Sequence, residues 1–315
     1  MNRTVLSIDL TPIGGPRFQP TGFPDLGAAT FQVPRPDGRV EEWLHVESPQ
    51  SMANRCELTT WDDGRQEQAE ALDGLPFMRV VDGDGAFLTS SRLEAHRLAS
   101  AYIMDGSIDG VEGRIAMAKL LALPEDKFAH HRDLARAVCQ LDPLSLIHGV
   151  FFAQKSWSSQ PKIARALSCF IDARDVRVAT SGGVKTDSVS AKHRGSRDAE
   201  EGYGMVPHQR VEFTAAKITA SVVVDHAQIR SYGLGDAGTE LLRAIVNFEL
   251  AHVFRAGGLR LRTNCDLVPV DEEQLSDIPK VTDAETAVRA AIADARDLLG
   301  PVREVVWSPS KKGTK

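Results

Sequence analysis

"RVEFTAAKITASVVVD", Arg210–Asp225, is the stretch on which the fold turns. β-Branched and aromatic residues fill it, and apolar side chains alternate with small or polar ones. That is the period of a strand with one buried face. Just before it lies Lys185–Met205, "KTDSVSAKHRGSRDAEEGYGM", polar, rich in Gly and Ser, and nearly free of large apolar residues. It reads as a long exposed excursion. Before that, "VRVATSGGV" (176–184) reads as a strand running into a glycine turn. After the opening stretch, "AGTELLRAIVNFELAHVFRAGG" (237–258) is an amphipathic helix stopped at Gly257–Gly258. "LRLRTNCDLVPV" (259–270) is then a strand, with Leu259 and Leu261 on one face and Arg260 and Arg262 on the other.

Upstream, Asn2–Pro36 reads as a loop-rich arm with one short strand, Ala28–Val33. "EEWLHVES" (41–48) alternates as a strand does. "SPQSMANRCELTTW" (48–61) turns into a helix, with Pro49 at its start and Ser51 as a cap. "VDGDG" (81–85) is a tight turn. "FLTSSRLEAHRLASAYI" (87–103) reads as a helix with a Ser91–Glu94 capping box. Residues 111–123 and 127–141 read as two more helices, and "LSLIHGVFFA" (144–153) as a buried strand with Phe151 and Phe152 in the core. Ile163–Ile171 reads as a helix introduced by Pro161. A last helix opens on a Thr282–Glu285 capping box and stops at Gly300–Pro301, before a frayed tail. Strand, helix, large insertion, paired strands, helix and final strand fit an α+β fold: a split βαβ, ferredoxin-like (RRM-like) core with insertions. Strands and helices do not alternate regularly enough for a Rossmann order.

The 315 residues are 42% hydrophobic and 25% charged, a globular mixture with room for one large domain or two ordinary ones. No apolar run reaches the roughly 20 residues a membrane helix needs, and the N-terminus is a poor signal peptide. Four scattered cysteines without a CxxC pair point to a reduced, cytoplasmic protein with buried thiols, and no cofactor or metal is expected. The net charge of −6 conceals a gradient. Residues 148–210 carry ten Lys and Arg against six Asp and Glu, and they form the only basic segment. A basic face on an acidic body can hold phosphates locally.

Catalytic motifs are scarce. "SGGVKTDS" (181–188) has Val184 where a phosphate loop needs Gly before Lys, so it reads as a turn. His130–His131 lacks metal-ligand spacing, and Asp62–Asp63 and Glu200–Glu201 sit in polar loops. Binding features are richer. Lys155, Lys162 and Arg165 flank Trp157, while Lys185, Lys192, Arg194 and Arg197 lie in the excursion. Cations neutralise phosphates, and an aromatic face stacks on bases. Arg260 and Arg262 share one strand face. The common aromatic pattern of RNA-recognition motifs is absent.

"RFQPTGFPDLGAATF", "ESPQSMANRCE", "LDPLSLIHGVFFA", "QPKIARALS", "EGYGMVPHQRVEFTA" and "GGLRLRTNCDL" closely resemble the backbone subunit of CRISPR-associated type I effector complexes, subtype I-U or I-G. That subunit is a RAMP-superfamily protein of the Cas-seven type. The similarity runs from about Arg17 to about Leu267. The resemblance implies a single hand-like domain over 1–270. Its palm would span about 17–60 and 206–270, its helical fingers about 61–180 and its β-hairpin thumb about 181–205. Residues 271–315 form a C-terminal helical extension and tail outside it. It further implies a non-catalytic role: copies of the chain polymerise along a guide RNA (crRNA), beside other Cascade subunits, and the guide pairs with a target DNA strand. Ser48, Gln50 and Ser51, followed by Asn54 and Arg55, resemble the segment that opens the first palm helix against the RNA backbone. Met205, or Val189, is the candidate wedge that displaces a base. The alternative is a RAMP endoribonuclease that processes precursor RNA, with His148, His193 or His208 as base.

Overall fold

The computed structural model describes residues 2–23, 27–123, 129–157, 159–185 and 206–309. Strand β1 (Arg3–Pro12) buries Leu6, Ile8 and Leu10 and leaves Val5 exposed, as its alternation dictates. The pair β2 (Gly22–Phe23) and β3 (Gly27–Ala28) precedes a hairpin of β4 (Thr30–Pro34) and β5 (Val40–Glu47). Helix α1 (Pro49–Leu58) begins at a proline that lacks only an amide the helix would not use. A short pair, β6 (Trp61–Asp62) and β7 (Glu67–Gln68), leads to the hairpin β8 (Met78–Val81) and β9 (Phe87–Ser90). There follow α2 (Ala101–Met104), β10 (Ser107–Ile108), β11 (Val111–Glu112), α3 (Gly113–Leu120), α4 (His131–Leu141) and α5 (Leu144–His148). The small hairpin β12 (Val150–Phe151) and β13 (Lys162–Ile163) comes next, and then the long strands β14 (Leu167–Lys185) and β15 (Val206–Asp225). The chain continues through α6 (His226–Ser231), α7 (Gly235–Arg255), β16 (Arg260–Arg262), β17 (Cys265–Pro269), α8 (Val281–Asp294) and β18 (Arg303–Val306).

Seven strands form the main sheet in the order β16-β17-β1-β15-β14-β5-β4, every neighbour antiparallel. Strands β1 and β14 are both antiparallel to β15, so they run parallel with β15 between them. One face of the sheet carries Leu44, Val46, Cys169, Ile171, Ile218, Ala220 and Val222, all buried. Helix α1 packs against β14 and α7. Each fully buried Leu, Ile or Val of that face contributes about 1.5–3 kcal/mol relative to exposure.

Pairing of β5 with β14 stops at Trp43 and Arg174, and pairing of β1 with β15 begins at Leu10 and Ile218. Beyond those points β14 and β15 continue against each other as a two-stranded ribbon out to Lys185 and Val206. The arm braces the ribbon at its base. Phe18 is fully buried and exchanges both backbone hydrogen bonds with Phe213, at 2.8 and 2.9 Å.

A second sheet has the order β11-β10-β18-β8-β9. Its middle strand, β18, comes from the C-terminal segment and runs parallel to β8. Helix α8 packs on α7.

Several sequence readings change. The helix expected over 87–103 is instead β9, turns, a 3-10 turn (Arg97–Ala99) and the one-turn α2. Its capping-box residues have other partners: Ser91 donates to buried Asp142 at 2.6 Å, and Glu94 accepts from Thr89 and Ser100. Side chains that bond their neighbours in this way compete with a helix. The expected strand over 144–153 is helix α5 followed by β12; a short apolar run fits either when all of it is buried. The expected helix over 163–171 is the end of β13 and the start of β14, paired with β15 from Leu167 against Val224. The expected strand over 259–270 is two strands, β16 and β17. No side-chain cap from Thr282 opens α8, whose cap position is Lys280. The arm expected to be loop-rich with one short strand opens instead on the ten-residue β1, which the main sheet pairs on both sides, and β18 has no counterpart among the expected elements.

Candidate nucleic-acid interface

An open groove of about 730 Å³ lies where the start of α1 meets the 3-10 turn at Arg97 and the β12–β13 hairpin. It is lined in part by Gln50, His96, Arg97, Phe151, Lys162 and Arg165. Ser48, with extended backbone, caps α1 and accepts from the Ser51 amide at 3.2 Å, so the capping residue is Ser48 and not Ser51. Gln50 in the first turn, and Asn54 one turn on, are exposed.

The hairpin is set by Gly149, whose φ of 81° lies in the left-handed region. A Cβ there would meet the Ile163 carbonyl oxygen at 2.9 Å, so the chain needs glycine both for the angle and for the close approach. Register pairs Phe151 with Lys162. Phe151, expected in the core, is 51% exposed, while Phe152 is fully buried. Trp157 behaves the other way. It packs on the core, with its ring 5.9 Å from that of Phe152, and is only partly exposed. Lys155 and Lys162 are exposed. The exposed aromatic beside the cations is therefore Phe151. The sequence signal for it was the paired Phe151–Phe152, of which an alternating strand buries only one.

Arg165 is half-buried and donates from Nε to the His148 carbonyl at 3.3 Å. Among the described residues it has no carboxylate partner within ion-pair distance. Burial first, and then the like charge of Arg97, lower its pKa. An anion in the groove would offset both. Arg97, which sequence reasoning missed, is buried and holds a positive φ of 51°. Its guanidinium grips Glu57 of α1 at 2.6 and 2.7 Å and donates to the Gly149 carbonyl at 3.2 Å, tying helix to hairpin.

Behind the groove, His148 is fully buried with Nε2 2.8 Å from Glu249. Burial pushes its pKa down to about 4 and pushes Glu249, Glu57 and Asp142 up. Its ring is buried in the core.

Arg55 and Arg262 are engaged in the fold. Both approach the fully buried Glu47, Arg262 at 2.8 Å and Arg55 at 3.5 Å. Arg55 also donates to the Arg260 and Leu261 carbonyls, and Arg262 to the Gln19 carbonyl and the Thr21 hydroxyl. Arg260 remains exposed. The groove thus gathers Gln50, Lys162 and Arg165 and leaves Arg55, Arg260 and Arg262 outside its lining. Lys185 ends β14. Lys192, Arg194, Arg197, Met205, Val189 and His193 lie outside the described residues, and His208 stands in β15.

Among the described residues, no group of three or more His, Cys, Asp or Glu side chains could hold a metal, and no helix is long and apolar enough to cross a membrane. The four cysteines are buried free thiols.

The family model described as "CRISPR-associated protein GSU0053" matches residues 4–178, more than half of the chain. No curated protein matches it. A solved chain from "CRISPR RNA-guided surveillance complex, pre-nicking" is similar at 14% identity, with a TM-score of 0.39 over 85% of this chain and 76% of that one.

Proposed function

The chain belongs to the family of CRISPR-associated protein GSU0053, and on that premise we propose that it is a guide-RNA-binding backbone subunit of a Cascade-type complex. In this reading it polymerises along the spacer, beside other subunits, and catalyses nothing itself. The observation that carries the reading is the groove. Its lining runs from Gln50 to Ser168, wholly within the family-matched residues. It offers Lys162, an Arg165 with no carboxylate partner among the described residues and an exposed Phe151 to one ligand, a combination suited to a strand of phosphates and bases.

The sheet supports a ferredoxin-like palm. The strands that flank its helices stand in the order β17-β1-β15-β14, with α1 falling between β1 and β14 in the chain and α7 between β15 and β17, and β5 and β4 extend one edge. The ribbon of β14 and β15 is the base of the proposed thumb, and the second sheet with α2–α4 makes the proposed fingers a mixed unit and not a helical one. The buried His148 ring, held against Glu249, speaks against that residue as the base of the endoribonuclease alternative.

The test is to purify the chain with guide RNAs of two spacer lengths, then measure particle mass and RNA integrity. Mass rising with spacer length over intact RNA supports the proposal. Cutting of a repeat hairpin by the chain alone would overturn it.

A further inference from the structure

Where α4, α6 and α7 meet, a second open cleft of about 480 Å³ is lined by Arg132, Arg230 and Arg243, together with Asp236 and Glu240. Each arginine comes from a different helix, and two of the three lie beyond the family-matched residues. Among the described residues, neither Arg132 nor Arg230 has a carboxylate partner. Arg132 donates to the Gly233 carbonyl at 3.4 Å, and Arg230 to the side-chain oxygen of Asn2 at 2.7 Å. Arg243 pairs with Glu240 at 2.5 Å, and its buried Nε has no partner among the described residues.

The placement of Arg132 is built into the backbone. Gly233 has a φ of 64°, and a Cβ there would meet Arg132 at Nε (3.0 Å), Cδ and Cγ. The arginine stem therefore lies directly on the glycine. The cleft's three guanidinium groups outnumber its two carboxylates. The positive balance is felt nearby: after burial, the charges of Arg243 and Arg230 are the main causes lowering the pKa of His226.

We propose that this cleft binds the phosphodiester backbone of a nucleic-acid strand, at a contact separate from the groove. Guanidinium groups match phosphate oxygens in a planar, two-point geometry. An open cleft bordered by arginines on three helices suits a chain of repeated charges better than one small ion, which an enclosed set of donors would hold. The site stands apart from the guide-RNA reading, since it needs only phosphate.

The experiment uses the full chain and a short labelled single-stranded oligonucleotide, titrated across salt concentrations. Arg132→Gln combined with Arg230→Gln should flatten the plot of log affinity against log salt by about 1.4, two phosphates at roughly 0.7 each. Asp236→Asn, which removes a repelling charge, should tighten binding. The groove variant Lys162→Gln supplies a second, additive loss of slope, so failure at the cleft leaves the groove reading testable and the reverse holds too. Both arginines are exposed, and an unchanged melting temperature checks that the double variant folds. An unaltered slope in a folded double variant overturns the proposal. So does protection of the native chain, but not the variant, by inorganic phosphate while the oligonucleotide slope stays the same, because that marks a free-ion site.

Discussion

Two sets of cations in this molecule look alike in sequence and differ in what they face. Arg97, Arg55 and Arg262 are each aimed at a buried carboxylate, Glu57 for the first and Glu47 for the other two. Lys162 and Arg165 line an open groove and have no such partner among the described residues. The first set is spent on holding α1, the hairpin and the sheet edge together. The second retains charge for a ligand. A basic side chain thus shows its role by the distance to its nearest acid, and that acid stands 40 residues away for Arg97 and 215 for Arg262.

The sharpest contrast comes from Arg97→Met. Glu57 would be left buried without its partner, so stability should fall by about 3–5 kcal/mol, read from urea unfolding. A loss under 1 kcal/mol would show that Glu57 is neutral and the clamp slack. Acid should separate the regions next. His148 resists protonation until about pH 4 in the folded chain, against an ordinary value of 6.5, so the unfolded chain takes up the proton first as pH falls. Stability should drop by about 3 kcal/mol between those values, and His148→Gln should abolish that drop. The raised carboxylates Glu57, Asp142 and Glu249 act in the opposite sense, so a decline that persists in the variant would point to another group. RNA affinity per folded molecule should hold across the same range.

Phe151→Ala should weaken RNA binding by about 1–3 kcal/mol with little change in melting. Trp157→Ala should do the reverse, lowering melting and sparing affinity. If both variants lose affinity equally, stacking is not confined to Phe151. The smallest effect is that of Lys162→Gln. The salt slope should shrink by about 0.7 while stability stays within 0.5 kcal/mol.

What the sequence made legible was local. Pro49 marked the start of α1, Gly257–Gly258 the end of α7, and the alternation of Arg210–Asp225 announced a strand that turned out to be central to the sheet. What it hid was settled at a distance. Leu167–Ile171 suits a helix by composition, yet its partners are Ala220–Val224, 49 to 57 residues on. Leu144–His148 is buried all round, which erases the period that distinguishes helix from strand. The groove was half legible. Lys162 and Arg165 were picked out by charge, but the exchange of roles between Phe151 and Trp157 depends on which side of a two-residue strand Phe151 leaves and on the loop that folds Trp157 back onto Phe152.

Strand β18 carries a consequence for biosynthesis. It lies between β10 and β8, two strands made some 200 residues earlier. While the chain is leaving the ribosome, the backbone groups of Met78–Val81 on that side have no strand to bond, and Val80 has no β18 neighbour. The second sheet can close only after Val306 has emerged. Until then the nascent chain presents an open apolar strand edge, the condition under which a chaperone is recruited or strands pair wrongly. Among the described strands, the last to be made is the one that seals the sheet.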